Sequence, residues 1–182
     1  MKMLLDCGSE ISQSLLIWSS NFLRNKINQV SNRTVIDRAK LANVQQNLQI
    51  GADSVEMLSI YLKDARSAGM ESINVYSQPI LKFNIYITSL NLQYMQEIDQ
   101  DLIYDFLTIA TSSLADATKR NYKVALTGLF EYINKANIIN ETSDVGYRYE
   151  LEINKWGGKS LNNSKKAPDY LSCEELTLFL NS

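Results

Sequence analysis

The residues best suited to chemistry form two clusters of cations without an acid between them. The first runs from Thr118 to Lys123 and includes Lys119, Arg120 and Asn121. Lysine commonly contacts phosphate, whereas arginine and asparagine have the donors and acceptors that recognise guanine and adenine edges in a major groove. Thr118 is also a predicted helix N-cap, and the free N–H groups of a helix N-terminus favour phosphate. The cluster predicts contact with nucleic acid, and the alternative is an ordinary solvated helix surface.

The second cluster lies in a glycine- and asparagine-rich stretch, and its lysines are Lys155, Lys159, Lys165 and Lys166. Such a segment is either a solvated linker or a run of cations along a nucleic-acid backbone. We favour backbone contact. Lys63 and Arg66, on a separate predicted helix, are a weaker pair of phosphate-binding candidates.

The remaining composition excludes several classes of site. The 182 residues contain no histidine, which removes the commonest general base and metal ligand. Cys7 and Cys173 are far apart and form no C-x-x-C pair, so neither a disulfide framework nor a zinc site is expected. No apolar run is long enough to span a bilayer. We therefore predict a reduced, cytoplasmic protein with no catalytic residue, metal or cofactor in this sequence.

Low proline and glycine content predicts that helices position these residues. The predicted helices are one capped by Ser9, one over 34–48, one that Asp53 caps and Gly69 ends, one over 72–88, one that Asp99 caps and one over 118–136. The first has an apolar stripe of Ile11, Leu15, Trp18, Phe22 and Ile27. The second has a weaker stripe of Val35, Ala39, Ala42 and Leu48. Pro79 predicts either a kink in the fourth helix or a start near Ser77.

The helical pattern stops after about residue 137. Residues 147–153 alternate as in a short strand or an extended linker, and residues 157–163 predict a flexible segment. A capping box at 172–175 begins another helix, in which the sequence ends. We therefore interpret the sequence as truncated.

Two of the predicted helices match each other at an offset of 46 residues, with Ser72 aligned on Thr118. The aligned pairs that follow are Tyr76 with Tyr122, Ile80 with Leu126, Phe83 with Leu129, Tyr86 with Tyr132, and Ile87 with Ile133. One interpretation is the chance agreement of two amphipathic helices. The other is a pair of equivalent helices that present their N-terminal turns to one partner.

Five segments carry a family resemblance. They are E-S-I-N-V-Y at 71–76, I-D-Q-D-L-I-Y-D-F-L at 98–107, A-T-K-R-N-Y at 117–122, L-F-E-Y-I at 129–133, and A-P-D-Y-L-S-C-E-E-L at 167–176. In order and spacing they resemble the core-binding domain of Xer-type tyrosine recombinases, followed by the start of the catalytic domain. The residues before 53 resemble the long N-terminal arm of the single-recombinase Xer proteins.

The resemblance implies an all-α, SAM-like helical bundle that clamps duplex DNA. It implies an N-terminal helical extension (1–52), a core-binding domain (53–140), an interdomain linker (141–171) and the first residues of a catalytic domain (172–182). On the helix over 72–88 it adds Asn74, Ser77 and Lys82 as DNA contacts. The family usually has basic residues after the tyrosine of this helix. Here Ser77, Gln78 and Pro79 follow, so we expect weaker phosphate contact.

The resemblance also implies the activity and partners of the intact protein. Four subunits would exchange strands at a dif-like chromosomal site through a covalent tyrosine intermediate, together with a cell-division DNA translocase. The catalytic tyrosine would lie outside this sequence. The alternatives are a phage or integrative-element integrase of the same family and, from another class, a helical adaptor that binds proteins. An enzyme of another kind has no supporting set of residues.

Overall fold

The computed structural model describes residues 11–29, 35–90 and 92–139, with the backbone alone for 137–139. All regular structure in these ranges is helical, which confirms the all-α class. The α-helices are α1 (Ile11–Gln29), α2 (Arg38–Ile50), α3 (Val55–Ser67), α4 (Asn74–Thr88), α5 (Gln100–Thr111) and α6 (Asp116–Ile139). Short 3₁₀ turns at Glu71–Ile73 and Met95–Glu97 precede α4 and α5.

Side-chain caps begin three of the helices. The carboxylate of Asp99 accepts a hydrogen bond from the Leu102 N–H at 2.9 Å, which confirms the predicted start of α5. The predicted cap of α3 is wrong by one residue: the Ser54 hydroxyl, rather than Asp53, accepts from the Met57 N–H at 3.2 Å. Extended backbone at Ser54 places its hydroxyl within reach of that N–H group.

The start of α2 is also corrected. The helix begins at Arg38 because the Asp37 carboxylate caps it through the Lys40 N–H at 2.9 Å. Its buried residues are Leu41, Val44 and Leu48. The predicted stripe of Val35, Ala39 and Ala42 is wrong, since Val35 precedes the helix and both alanines are exposed.

Gly69 ends α3 as predicted. Its φ of 101° is in the left-handed region, where a Cβ is unfavourable. The Gly69 N–H donates to the Arg66 carbonyl at 2.9 Å, and the Met70 N–H donates to the Ala65 carbonyl at 3.0 Å. These two bonds form a Schellman motif, which turns the chain and buries Met70 in the core.

The first helix contributes to the same core as α4 and α6. Its predicted stripe is confirmed, since all five residues are buried. Phe22 packs against the rings of Tyr76 in α4 and Tyr132 in α6, with ring centroids 5.8 Å and 6.0 Å apart. The buried Asn84 amide of α4 donates to the Ser19 hydroxyl of α1 at 2.8 Å. The predicted boundary at residues 52 and 53 stays a prediction, but α1 and α4 share one apolar interior.

The fourth helix contains Pro79 in its interior and begins at Asn74, so the predicted start near Ser77 is wrong. Ser72 lies in the 3₁₀ turn and no side chain caps α4, which also corrects the predicted hydroxyl cap. Pro79 is buried, and its ring adds apolar surface to the core. Its missing N–H removes one hydrogen bond from the helix.

Several sequence-based expectations lie outside the described residues. They concern the Ser9 cap, the extended segment at 147–153, the capping box at 172–175, and the lysines Lys155, Lys159, Lys165 and Lys166.

Candidate nucleic-acid interface

The cationic cluster lies in the first two turns of α6, which begins two residues earlier than predicted. The N–H groups of Thr118 and Lys119 donate to the Ala115 carbonyl at 2.9 Å and 3.0 Å. Thr118 is therefore inside the helix, and its predicted role as the opening residue is wrong. The helix begins instead at Asp116, and an acidic side chain is favourable in the first turn of a helix. A phosphate that approaches the N-terminus of α6 also meets this carboxylate.

Lys119 forms an ion pair with that acid. Its Nζ lies 3.7 Å from the Asp116 carboxylate, one helical turn earlier, and the Lys119 side chain is 33% exposed. Such a surface pair contributes only about 0.3–0.5 kcal/mol. A DNA phosphate can therefore displace the aspartate at small cost, but Lys119 is less available than an isolated lysine.

The exposed side of α6 differs from the prediction in its details. Arg120 and Asn121 are exposed, as contact with base edges requires. Lys119 and Lys123, one turn apart, are only half-buried and lie at the border of the apolar stripe rather than opposite to it. The outermost positions of this part of α6 are thus Arg120, Asn121 and Val124.

Lys82 of α4 joins this cluster through the packing of α4 on α6. Its Nζ lies 5.6 Å from the ring centroid of Tyr122, whose side chain is buried in the interface. The ring attracts the ammonium group and limits where it can go. We call the set of Lys82, Lys119, Arg120, Asn121 and Lys123 the α4–α6 basic surface.

The two matching helices pack in opposite directions. Phe22 touches Tyr76 in the first turn of α4 and Tyr132 in the second half of α6, whereas Lys82, further along α4, lies over Tyr122 near the start of α6. The N-terminal turns of α4 and α6 are therefore at opposite ends of the pair. The two turns are therefore not adjacent to each other, and contact of both with one partner stays a prediction. The 46-residue match reflects apolar faces that pack against each other.

The other two DNA-contact candidates on α4, Ser77 and Asn74, differ in exposure. Ser77 is 2% exposed, and its hydroxyl donates to the Asn74 carbonyl at 3.4 Å. A side chain enclosed in this way cannot reach a duplex, so Ser77 is removed from the candidate set. Asn74 is exposed, at the end of α4 remote from Thr118.

Lys63 and Arg66 are exposed on α3. Arg66 is in the last turn, where a cation is favourable beside the free carbonyls of the helix. That local role is sufficient to explain the residue, and contact of either side chain with DNA stays a prediction.

The described residues contain no cluster of metal-ligating side chains. Within ranges 11–29, 35–90 and 92–139, no three histidine, cysteine, aspartate or glutamate side chains come together as a metal site. Burial raises the pKa of Tyr132, and the nearby Arg24 opposes this only in part. None of the helices in these ranges has the length and apolar content of a membrane span.

Sequence reasoning missed one cation. The Nζ of Lys26 in α1 lies 5.4 Å from the ring centroid of Phe22 and 5.2 Å from that of Tyr76. The contact with Phe22 is visible in the sequence as a pair four residues apart on one helix. The contact with Tyr76 depends on how α1 packs against α4, which no local pattern reveals.

Comparison with known proteins gives a consistent result. The model of the phage integrase SAM-like domain family matches residues 6–137. The tyrosine recombinase XerH of Campylobacter jejuni is 31% identical over 182 residues, which cover 100% of this chain and 51% of that protein. XerH of Helicobacter pylori is 33% identical over 189 residues, with 100% and 51% covered. The chain thus spans about half the length of the curated relatives it matches.

Two solved structures have the same fold. A XerH site-specific recombinase bound to difH substrate, in a pre-cleavage complex, has a TM-score of 0.75 at 35% identity and covers 83% of this chain and 44% of its own. A post-cleavage complex of XerH with a palindromic difH substrate has a TM-score of 0.79 at 34% identity, with 100% and 50% covered.

Proposed function

The chain belongs to the phage integrase SAM-like domain family, and from this we propose that it is the DNA-binding half of a site-specific tyrosine recombinase of the Xer type. The observation that carries the proposal is the DNA-bound state of the two similar structures, one of which is matched over 100% of this chain. The α4–α6 basic surface supplies the chemistry, because it combines exposed base-reading side chains with lysines. Both curated relatives are Xer proteins, which favours this group over a phage or integrative-element integrase.

The proposed binding mode assigns different roles to different cations. Lys82, Lys119 and Lys123 contact phosphates and set the position of the domain on the duplex. Arg120 and Asn121 are exposed on α6. They read base edges in the major groove, where arginine pairs with guanine and asparagine with adenine. The apolar side of α6 meanwhile packs against α4 and α5, so that the reading residues are held on a rigid element.

We further propose the biological setting that the relatives suggest. The intact protein would act in the cytoplasm on a dif-like chromosomal site and resolve chromosome dimers before cell division, in contact with a DNA translocase. Four subunits would assemble on two sites. A tyrosine of the catalytic domain would attack a phosphodiester to form a phosphotyrosyl bond and release a 5′-hydroxyl, and the residues of this chain would hold the DNA while others carry out that step.

A salt titration tests the proposal. Fluorescence anisotropy would follow binding of the chain to a labelled duplex with the difH site and to a scrambled duplex of equal length, between about 50 and about 200 mM salt. We expect tighter binding to the difH duplex and an affinity that falls steeply with salt on both. A helical adaptor that binds proteins through apolar contacts would bind neither duplex in a salt-dependent way, and that result would exclude the proposal.

A further inference from the structure

A groove lies between the last turns of α1 and the first turn of α4. Its volume is about 280 Å³, and Met70, Ile73 and Val75 line its apolar side. The polar groups in its lining belong to Lys26, Gln29 and Ser72. Glu71, which lies between the lining residues Met70 and Ser72 in the sequence, is exposed and does not line the groove. The groove therefore has a cation at its edge and no carboxylate in its lining.

The ammonium group of Lys26 packs against two aromatic rings at this groove. It lies over two rings at once, Phe22 at 5.4 Å and Tyr76 at 5.2 Å. Aromatic faces attract a cation but do not neutralise its charge. Neither of the ion pairs found among the described residues involves Lys26. Its positive charge is therefore available to an anion, and little side-chain freedom is left to lose on binding.

Lys26 of α1 supplies a positive charge beside the first turns of α4, which carry no charge of their own. The first two turns of α4, residues 74–81, contain no charged side chain. Val75 faces the groove and lies seven residues before Lys82, so after two helical turns both project from the same side of α4. The groove therefore opens on the side of α4 that carries Lys82, about 10 Å further back along the helix axis.

We propose that Lys26 contacts a phosphate of the DNA backbone and extends the α4–α6 basic surface to the opposite end of α4. The proposal rests on the proposed function, because it assigns a further contact to the same DNA. Lys26 gives a charge contact that is independent of base sequence, while the Ser72 hydroxyl and the Gln29 amide are additional donors beside it. The N-terminal extension thereby belongs to the DNA-binding surface as well as to the core.

The test compares Lys26→Gln with the unchanged chain on the scrambled duplex described above. The slope of log affinity against log salt concentration is negative, and the loss of one phosphate contact should reduce its magnitude by about 0.9. Because a backbone contact carries no sequence information, the ratio of affinities for the difH and scrambled duplexes should stay the same. Lys26→Arg keeps the charge and the stacking on both rings, and it should retain the original slope.

Lys40→Gln is the matched control. It removes one charge from α2, where the Lys40 ammonium is already paired with Asp64 at 3.1 Å. Thermal unfolding, followed by circular dichroism, would show that each variant is folded. An unchanged slope for Lys26→Gln, or an equal loss for Lys40→Gln, overturns the assignment of Lys26. If the unchanged chain itself binds without salt dependence, the proposed function fails, and the Lys26 contact fails with it.

Discussion

At the start of α6, two exposed side chains differ from their neighbours in what they can recognise. Arg120 and Asn121 are exposed, whereas Lys119 is partly neutralised by Asp116. Arg120→Ala should therefore reduce the difference in binding free energy between the difH and scrambled duplexes by roughly 1–3 kcal/mol. The comparison is made by anisotropy on both duplexes at one salt concentration.

Lys119→Ala is the control for this prediction. A phosphate contact is independent of sequence, so its loss should weaken binding to both duplexes by the same factor and leave discrimination intact. If Arg120→Ala retains the full preference for the difH duplex, Arg120 does not read a base.

Asp116 has two opposing effects. As the first residue of α6 it stabilises the helix, and as a carboxylate beside Lys119 it repels phosphate. Asp116→Asn should tighten DNA binding by up to about fivefold, since about 1 kcal/mol is the Coulomb energy of two unit charges about 4 Å apart in water. It should also lower stability by about 0.3–1 kcal/mol. Anisotropy and denaturant unfolding measure the two effects separately.

Asp101→Asn is the matched control because Asp101 is likewise an acid in the first turn of a helix, α5. It should show the loss of stability without the gain in DNA affinity. An equal gain in affinity for both variants would mean that only the overall charge matters, and that the start of α6 has no special position on the duplex.

The sequence predicts those site residues that depend on local order alone. Lys119, Arg120 and Asn121 are neighbours on one helix, so their proximity needs no tertiary information. The ion pair between Lys119 and Asp116 is also local. The predicted helix started two residues too late, at Thr118, and so left Asp116 out. The burial of Ser77 depends on how α4 packs in the bundle, and the approach of Lys26 to Tyr76 depends on the packing of α1 on α4. The sequence reveals neither.

At the scale of the helices, the apolar patterns predicted where helices form better than they predicted the direction in which neighbouring helices run. The matching faces of α4 and α6 suggested equivalence, and the structure shows that they pack with opposite polarity. A repeat of apolar residues specifies which side of a helix is buried but not which way the helix runs. Contacts from a third helix, through Phe22, are what establish the direction here.

Phe22 is therefore expected to stabilise the whole arrangement. It is 1% exposed, contacts rings in both α4 and α6, and lies 3.2 Å from the position that a Cβ on Gly128 would occupy. Phe22→Ala should lower the free energy of unfolding by about 3–5 kcal/mol, because a large cavity would remain between three helices. The measurement is chemical denaturation followed by circular dichroism.

Tyr94→Ala is the control, since this aromatic side chain is 58% exposed. Its removal should change stability by no more than about 0.5 kcal/mol. A similarly small effect of Phe22→Ala would show that α1 is an appendage, and the proposed role of Lys26 would then lose its support.

For the whole molecule, net charge and DNA binding have to be reconciled. The chain carries a formal charge of -2, so a polyanion is not attracted to it as a whole. Binding must come from cations gathered on one side, with acids elsewhere. The slope of the salt titration measures how many such cations meet phosphates, at about 0.9 for each. This number can be compared with the lysines of the α4–α6 basic surface and with those later in the sequence.

The lysines of the glycine- and asparagine-rich segment provide the last prediction. Substitution by glutamine of Lys155, Lys159, Lys165 and Lys166 together should lower the slope by about 0.9 for every phosphate that they contact, and by up to about 3.6 if all four do. Thermal unfolding of the glutamine variant would check that it remains folded. The same four positions changed to arginine should retain the slope.

The result distinguishes a clamp from a single binding surface. If the glutamine variant keeps the original slope, the segment is a solvated linker, and the cations of the helices carry the electrostatic contact. If the slope falls, the cations lie on two parts of the chain, joined by a segment that follows the DNA. A slightly acidic protein then holds a duplex because its positive charges meet the backbone in succession.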